Sequence, residues 1–318
     1  MRAAATLIAI SLGCTSAFAQ TYPTKPIRLI VPFGAGSTAD IIGRVLGASL
    51  TKDLGQQVVV ENKPGAGGTI GGAEAARGAP DGYTLVIGTV ASHGIGPLTM
   101  KDVSYDAVKN FQAITLIANV PNMIAVHPSV PAKTPAELVA FIKDNPGFTF
   151  TSAGPGTTAH LAGEFFGERL GLKLTHIPYK AVGQAMTDVI GGQVKMIVYQ
   201  LAGLKAHVDA GTVRPIAATS LTRIPALPNL PTVAETVIPG FDFAPWFGFM
   251  APAGTPRPIV DRLHALVVAA VQSPEMKKQF DAQGVEPVLK GPDEFQAFIR
   301  TDYDRWRAIL EKAGMRPQ

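Results

Sequence analysis

The feature that most limits what this chain can become is a pattern that occurs twice. In "IRLIVPFGAGSTADIIGRVLGASL" an apolar run ends at Pro32, passes through Gly34-Ala35-Gly36-Ser37-Thr38 and continues as a helical pattern. "FTFTSAGPGTTAHLAGEFF" repeats the form with Gly154, Gly156, Thr157 and Thr158. Both read Gly-x-Gly-x-x-Ala, ending at Ala39 and Ala159. A strand that breaks into a glycine turn and opens a helix presents backbone N–H groups that have no partner inside the helix. One copy in each half implies two similar α/β lobes, each offering a helix N-terminus.

The remaining chain supports that architecture. Strand-like runs at 26–31, 57–61, 84–88, 112–117, 122–126, 148–152, 195–199, 214–219 and 246–251 alternate with helical patterns. The helices are expected at 38–54, 69–78, 135–144, 158–170, 182–191, 201–210, 257–271, 274–283 and 292–313. This alternation predicts α/β lobes, each a mainly parallel sheet flanked by helices. Thr134-Pro135-Ala136-Glu137 reads as a helix cap, and Pro292 opens the last helix. The apolar segments 116–126 and 244–251 fall where the chain would cross between lobes, which predicts domains of 20–118 plus 240–318 and 119–239. Trp246 and Phe247, in the second crossing, are expected in the core. Apolar residues make up 47% against 16% charged, enough to bury such cores and unlike a disordered chain. The net charge of +4 is scattered rather than gathered into a basic stripe, so nucleic acid is not an expected partner.

Three chemistries compete for the glycine turns. The first is anion capture, in which the positive ends of two helix dipoles grip a carboxylate, with Ser37, Thr38, Thr157 and Thr158 adding hydroxyls. The second is dinucleotide binding, since Gly-x-Gly-x-x-Ala follows a strand and Glu61 ends the next one. Duplication of the motif and Pro32 at the end of a central strand speak against it. The third is an exported serine hydrolase, with Ser37 beside His93 or His160. It lacks the Gly-x-Ser-x-Gly elbow at Ser37. No metal-ligand spacing is present, and neither a metal nor a cofactor is expected.

The longer stretch "YPTKPIRLIVPFGAGSTADIIGRVLGASLTKDLGQQVVVENKPGAGGTIGGAEAARGAPDGYTLVIGT" resembles the tripartite tricarboxylate transporter substrate-binding proteins, the Bug receptors. So do "SAGPGTTAHLAGEFF", "HIPYKAVGQAMTDVIGGQV", "AGTVRPIAATS" and "LPNLPTVAET". The resemblance implies a two-domain Venus-flytrap fold of the second periplasmic-binding-protein type, with the ligand in the interdomain cleft. It implies a monomeric receptor that hands a small organic carboxylate to membrane permease subunits and does no catalysis. On matching positions, the ligand turns are Pro32 to Asp40, with Phe33, and Ser152 to His160. The loop from Thr89 through Ser92 to His93 is a third contact. Tyr179 lies in the "HIPYK" stretch.

The chain departs from the family where an Asp usually follows "GGQV" near the cleft. Here Tyr199 stands in "KMIVYQLAG". Tyr199 supplies no charge for a ligand ammonium but offers a ring and a hydroxyl, which argues against an amino-acid ligand.

The N-terminus "MRAAATLIAISLGCTSAFAQ" has an early Arg2, a short apolar core and a small-x-small end at Ala17-Phe18-Ala19. That is the form of a secretory signal peptide over residues 1–19, which places the mature protein in the periplasm. Cys14, the single cysteine, is an alternative lipidation site. With it removed, no disulfide is possible. Mass spectrometry of protein from its own host is expected to find Gln20 at the N-terminus; an intact Met1 or a lipid on Cys14 would refute simple secretion.

Overall fold

A computed structural model describes residues 22–179 and 182–314. The signal segment, its cleavage site, Cys14, Lys180 and Ala181 lie outside the described residues. One lobe holds a six-stranded sheet. Its N-terminal part contains β1 (Ile27–Val31), α1 (Thr38–Leu54), β2 (Val58–Asn62), α2 (Thr69–Ala76), β3 (Thr84–Thr89), α3 (Gly96–Thr99) and β4 (Phe111–Asn119). The other lobe follows as β5 (Asn122–Val126), α4 (Pro135–Asp144), β6 (Phe148–Thr151), α5 (Thr158–Arg169), β7 (Leu174–His176), α6 (Val182–Ile190), β8 (Met196–Gln200), α7 (Leu201–Asp209), β9 (Arg214–Ala218) and α8 (Val233–Thr236). The chain then returns to the first sheet with β10 (Trp246–Pro252), α9 (Arg257–Gln272), α10 (Pro274–Gln283), β11 (Glu286–Lys290) and α11 (Pro292–Lys312).

The sheet orders are β11-β4-β10-β3-β1-β2 and β7-β6-β8-β5-β9. The expectation of mainly parallel sheets needs correction, because both are mixed. β1 pairs parallel with β2 and β3, and β6 with β7 and β8. β10 runs antiparallel to β3 and β4, and β5 antiparallel to β8 and β9. The reason is the crossing. β1, β3, β6 and β8 end at the cleft, whereas β5 and β10 each begin beside it, so their direction is reversed. β7 is too short, and the edge strand β11 too polar, to stand out in the sequence.

Local chemistry accounts for the element ends. Thr134 caps α4 by accepting from the Glu137 N–H at 3.2 Å, with Pro135 in the first helical position, as expected. The β1 ladder ends at Val31, so Pro32 removes no sheet donor. The central strands are apolar on both faces; Leu29, Ile30, Val86 and Ile87 are fully buried.

The two crossings run side by side. The Val120 N–H donates to the Pro245 carbonyl at 3.0 Å, and Asn122 Nδ2 to the Phe243 carbonyl at 3.0 Å. α11 is pinned beside them, where the Trp246 indole N–H donates to Asp302 Oδ2 at 2.8 Å. Phe295 and Phe298 meet the Trp246 ring edge-on. Asp302→Ala leaves that buried indole N–H unpaired and is expected to cost about 1–3 kcal/mol. A lower denaturant midpoint at unchanged slope checks this; wild-type stability would refute it.

Candidate functional site

The two glycine turns are built by the same rule. Ser37 caps α1, its Oγ accepting from the Asp40 N–H at 3.2 Å. Thr157 caps α5, its Oγ1 accepting from the His160 N–H at 3.2 Å. The residue three beyond each cap then reaches back. Asp40 Oδ2 accepts from the Gly36 N–H at 2.9 Å, and His160 Nδ1 from the Gly156 N–H at 3.4 Å. Gly36 (φ 78°) and Gly156 (φ 74°) are left-handed, as such a reversal requires. The N–H groups of Thr38 and Ala39, and of Thr158 and Ala159, are left with no intrahelical carbonyl.

The turns share one cavity. Phe33, Ser37, Thr38, Thr89, Thr157, Thr158 and Tyr199, all expected ligand contacts, line it. Its outer part adds Gly34, Ala35, Gly154 and Tyr179. Gly67 approaches the second turn so closely that a Cβ there would sit 3.3 Å from the Gly156 carbonyl oxygen.

Other expected contacts turn away from the cavity, each for a visible reason. Asp40 is spent on structure: besides Gly36 it accepts from Arg44 Nε at 2.9 Å and Asn62 Nδ2 at 2.8 Å. Burial would raise its pKa, but these donors win and hold it below the usual carboxylate range. Gly36 and Gly156 shape the turns without lining the cavity. Ser152 bonds inside its own turn and to His176 Nε2 at 2.9 Å. Ser92 lies inside the one-turn π-helix Ala91–Ile95, where its Oγ accepts from the Thr89 N–H at 3.1 Å, its N–H donates to Thr89 Oγ1 at 3.2 Å, and its Oγ meets His93 Nδ1 at 2.9 Å. His93 lies in the core, edge-on to Phe111 at 4.4 Å. Burial pushes its pKa down to about 3. His160 stacks on His176 at 4.3 Å behind the turn, and burial pushes both down to about 4.

Some cavity residues escaped the sequence reading. Gln200, at the start of α7, ends the same strand that carries Tyr199. Ala39, Ala91, Ala153 and Pro245 are small or apolar and give no sequence signal. Phe247, expected in the core, also reaches the cavity wall. The stretch from Pro64 to Gly68 faces its outer part.

The competing chemistries can be measured against this geometry. Ser37 Oγ is occupied by the Asp40 N–H, and the bonding partners of His93 and His160 lie elsewhere. Glu61, the acid of the dinucleotide reading, is held by Arg28 at 2.7 and 2.9 Å. Among the described residues, no Lys, Arg, His, Asp or Glu lines either part of the cavity. An anion inside would be met by backbone N–H groups, hydroxyls and two helix dipoles.

Residues 42–315 match the family model described as "Tripartite tricarboxylate transporter family receptor". The chain is 35% identical over 298 residues to Protein BugT of Bordetella pertussis, covering 93% of this chain and 91% of that one. Among solved structures, the periplasmic binding protein BugD superposes with a TM-score of 0.88 at 36% identity, covering 93% of this chain and 100% of that one. R. palustris Rpa4515 with adipate superposes at 0.89 and 34% identity, covering 93% and 100%.

The histidines behind the turns make stability depend on pH. An unfolded histidine takes up a proton near pH 6.5, whereas folded His160 and His176 stay neutral to about pH 4 and His93 to about pH 3. The unfolded chain therefore binds more protons in this window, and stability falls as pH drops from about 6.5 toward 4. Each group contributes at most about 1.4 kcal/mol per pH unit. His160→Asn keeps an acceptor for Gly156 and is expected to reduce that slope. Urea titrations at pH 7, 6 and 5 measure it; an unchanged slope would refute the assignment.

Proposed function

This chain belongs to the tripartite tricarboxylate transporter receptor family, and on that premise we propose that its cleft captures a small organic carboxylate in the periplasm. Delivery is to the membrane permease subunits of a tripartite tricarboxylate transporter. The observation that carries the reading is the pairing of two helix N-termini across one cavity that, among the described residues, no charged side chain lines. Free N–H groups at Thr38, Ala39, Thr158 and Ala159, with the hydroxyls of Ser37, Thr38 and Thr158, meet the carboxylate. Thr89 and Tyr199 complete the inner wall, and Phe33, Gly34, Gly154 and Tyr179 the outer. No carboxylate stands ready for a ligand ammonium, which favours a simple acid over an amino acid. The adipate held by the R. palustris relative is an acid of this kind.

In this reading opening is a hinge rotation about the paired crossings near Val120 and Pro245, and these crossings support a lobe division near residues 119–122 and 243–246. Both turns come from one chain, which supports a monomeric receptor. The secretory signal read at the N-terminus supports the location.

Matched acid and amide pairs test the anion grip by calorimetry. Charge-assisted hydrogen bonds contribute about 1.5–3 kcal/mol each, so the amide is expected to bind at least about tenfold more weakly. Equal affinity would refute anion capture. Tyr199→Asp, which places a like charge in the cavity, is expected to weaken the acid by one to two orders of magnitude, since two charges about 6 Å apart repel by about 3 kcal/mol.

A further inference from the structure

We propose that the segment Pro64–Gly68, which links β2 to α2, acts with Met100 as a main-chain latch that holds the two lobes together at the outer part of the cleft. The first ground is its shape. Gly65, Ala66, Gly67 and Gly68 all have positive φ, of 132°, 46°, 63° and 93°. The Gly68 N–H donates to the Gly65 carbonyl at 2.9 Å, and Thr69 Oγ1 to the Ala66 carbonyl at 2.8 Å. Left-handed backbone at a residue with a Cβ, as at Ala66, is unfavourable in itself and persists only where its surroundings hold it. The segment is a fixed, tightly curled turn, and Gly67 gives it a tip without a side chain.

The second ground is where the tip goes. Gly67 belongs to the first lobe, yet a Cβ there would stand 3.3 Å from the Gly156 carbonyl oxygen and 3.4 Å from that of Pro155, both in the second glycine turn. Met100, just past α3, reaches the same place. A Cβ at Gly156 would collide with Met100 Cε and stand 3.6 Å from Thr99 Oγ1. The lobes meet this closely because neither Gly67 nor Gly156 carries a side chain. On its other side the segment packs on the first turn, where a Cβ at Gly68 would stand 3.2 Å from the Phe33 ring and 3.4 Å from Pro32 Cβ. One stretch of main chain touches both turns that open onto the cavity.

The third ground is leverage. Pro245 and Phe247, at the second crossing, line the inner part of the cavity, whereas Pro64–Gly68, Met100 and Pro155 line the outer. Groups on the side away from the crossings separate most when the lobes rotate about them, and dispersion between packed groups fades as soon as a gap opens. Every partner in the contact is a protein atom, so its contribution to closure does not depend on which acid the cleft takes, or on any acid being there. A standing closed population follows, and a ligand that prefers the closed state has less of the closure to supply.

Distances between paired spin labels test this with no ligand added. Cys14, the single cysteine, precedes Gln20, so a chain starting at Gln20 is labelled only where cysteines are introduced. Lys52→Cys and Glu168→Cys place the labels at exposed positions in the last turns of α1 and α5, the ends remote from the two glycine turns. After unfolding and refolding to strip bound molecules, the labelled chain is expected to show the distance of this structure alongside a second, open one. Gly67→Asp keeps a residue tolerant of positive φ but sets a carboxylate against two carbonyl oxygens, and should lower the closed fraction at least about tenfold. Met100→Ala trims the contact without adding charge or altering the curled turn. It should lower the closed fraction about threefold, and it decides the matter if Gly67→Asp does not fold. A labelled chain with no closed population, or variants that keep the wild-type closed fraction, would overturn the latch and leave carboxylate capture standing.

Discussion

Everything at the cleft depends on how the first N–H groups of two helices are satisfied. A helix begins with four donors that its own carbonyls cannot reach. In both turns the cap takes one donor, and the side chain three residues further on takes the N–H that precedes the cap. The first two helical N–H groups find no acceptor within their own helix. A cap that reached those as well would leave nothing for an anion. The acceptors differ, a charged Asp40 neutralised by Arg44 in one lobe and a neutral His160 in the other, yet the geometry is the same.

Strand direction then brings the two turns face to face. β1 and β6 end at the cleft, and the helices that follow start there. The strands that enter each sheet from a crossing run the opposite way, and this makes both sheets mixed. The same crossings, tied by Val120 to Pro245 and by Asn122 to Phe243, connect the two sheets.

Much of this was legible from residue order alone. α1, α4 and α10 have the predicted bounds because Ser37, Thr134 and Ser273 start them unambiguously. The two turns were legible because glycine at positive φ leaves a strong mark. Side-chain direction was not. Asp40, Ser92, His93 and His160 belong to the right segments but face inward, since helix position three and a π-helical turn aim side chains into the scaffold. Nor could the sequence show that Ala91, Ala153 and Pro245 form a wall, because small apolar residues look alike wherever they fold.

Among the described residues no charged side chain lines the wall, and in the carboxylate reading this separates two tasks that most binding sites combine. Where an arginine holds an anion, one codon change abolishes the grip. In the proposed mode the grip resides in main-chain groups that every residue type except proline carries, and no side-chain replacement deletes them while the turns keep their shape. The rings and small residues around the ligand are therefore free to diverge under selection for a new acid without endangering the anchor. Such a scaffold is built to diversify: affinity for the acid group is inherited with the fold, and the identity of the rest of the ligand is written in a few replaceable positions.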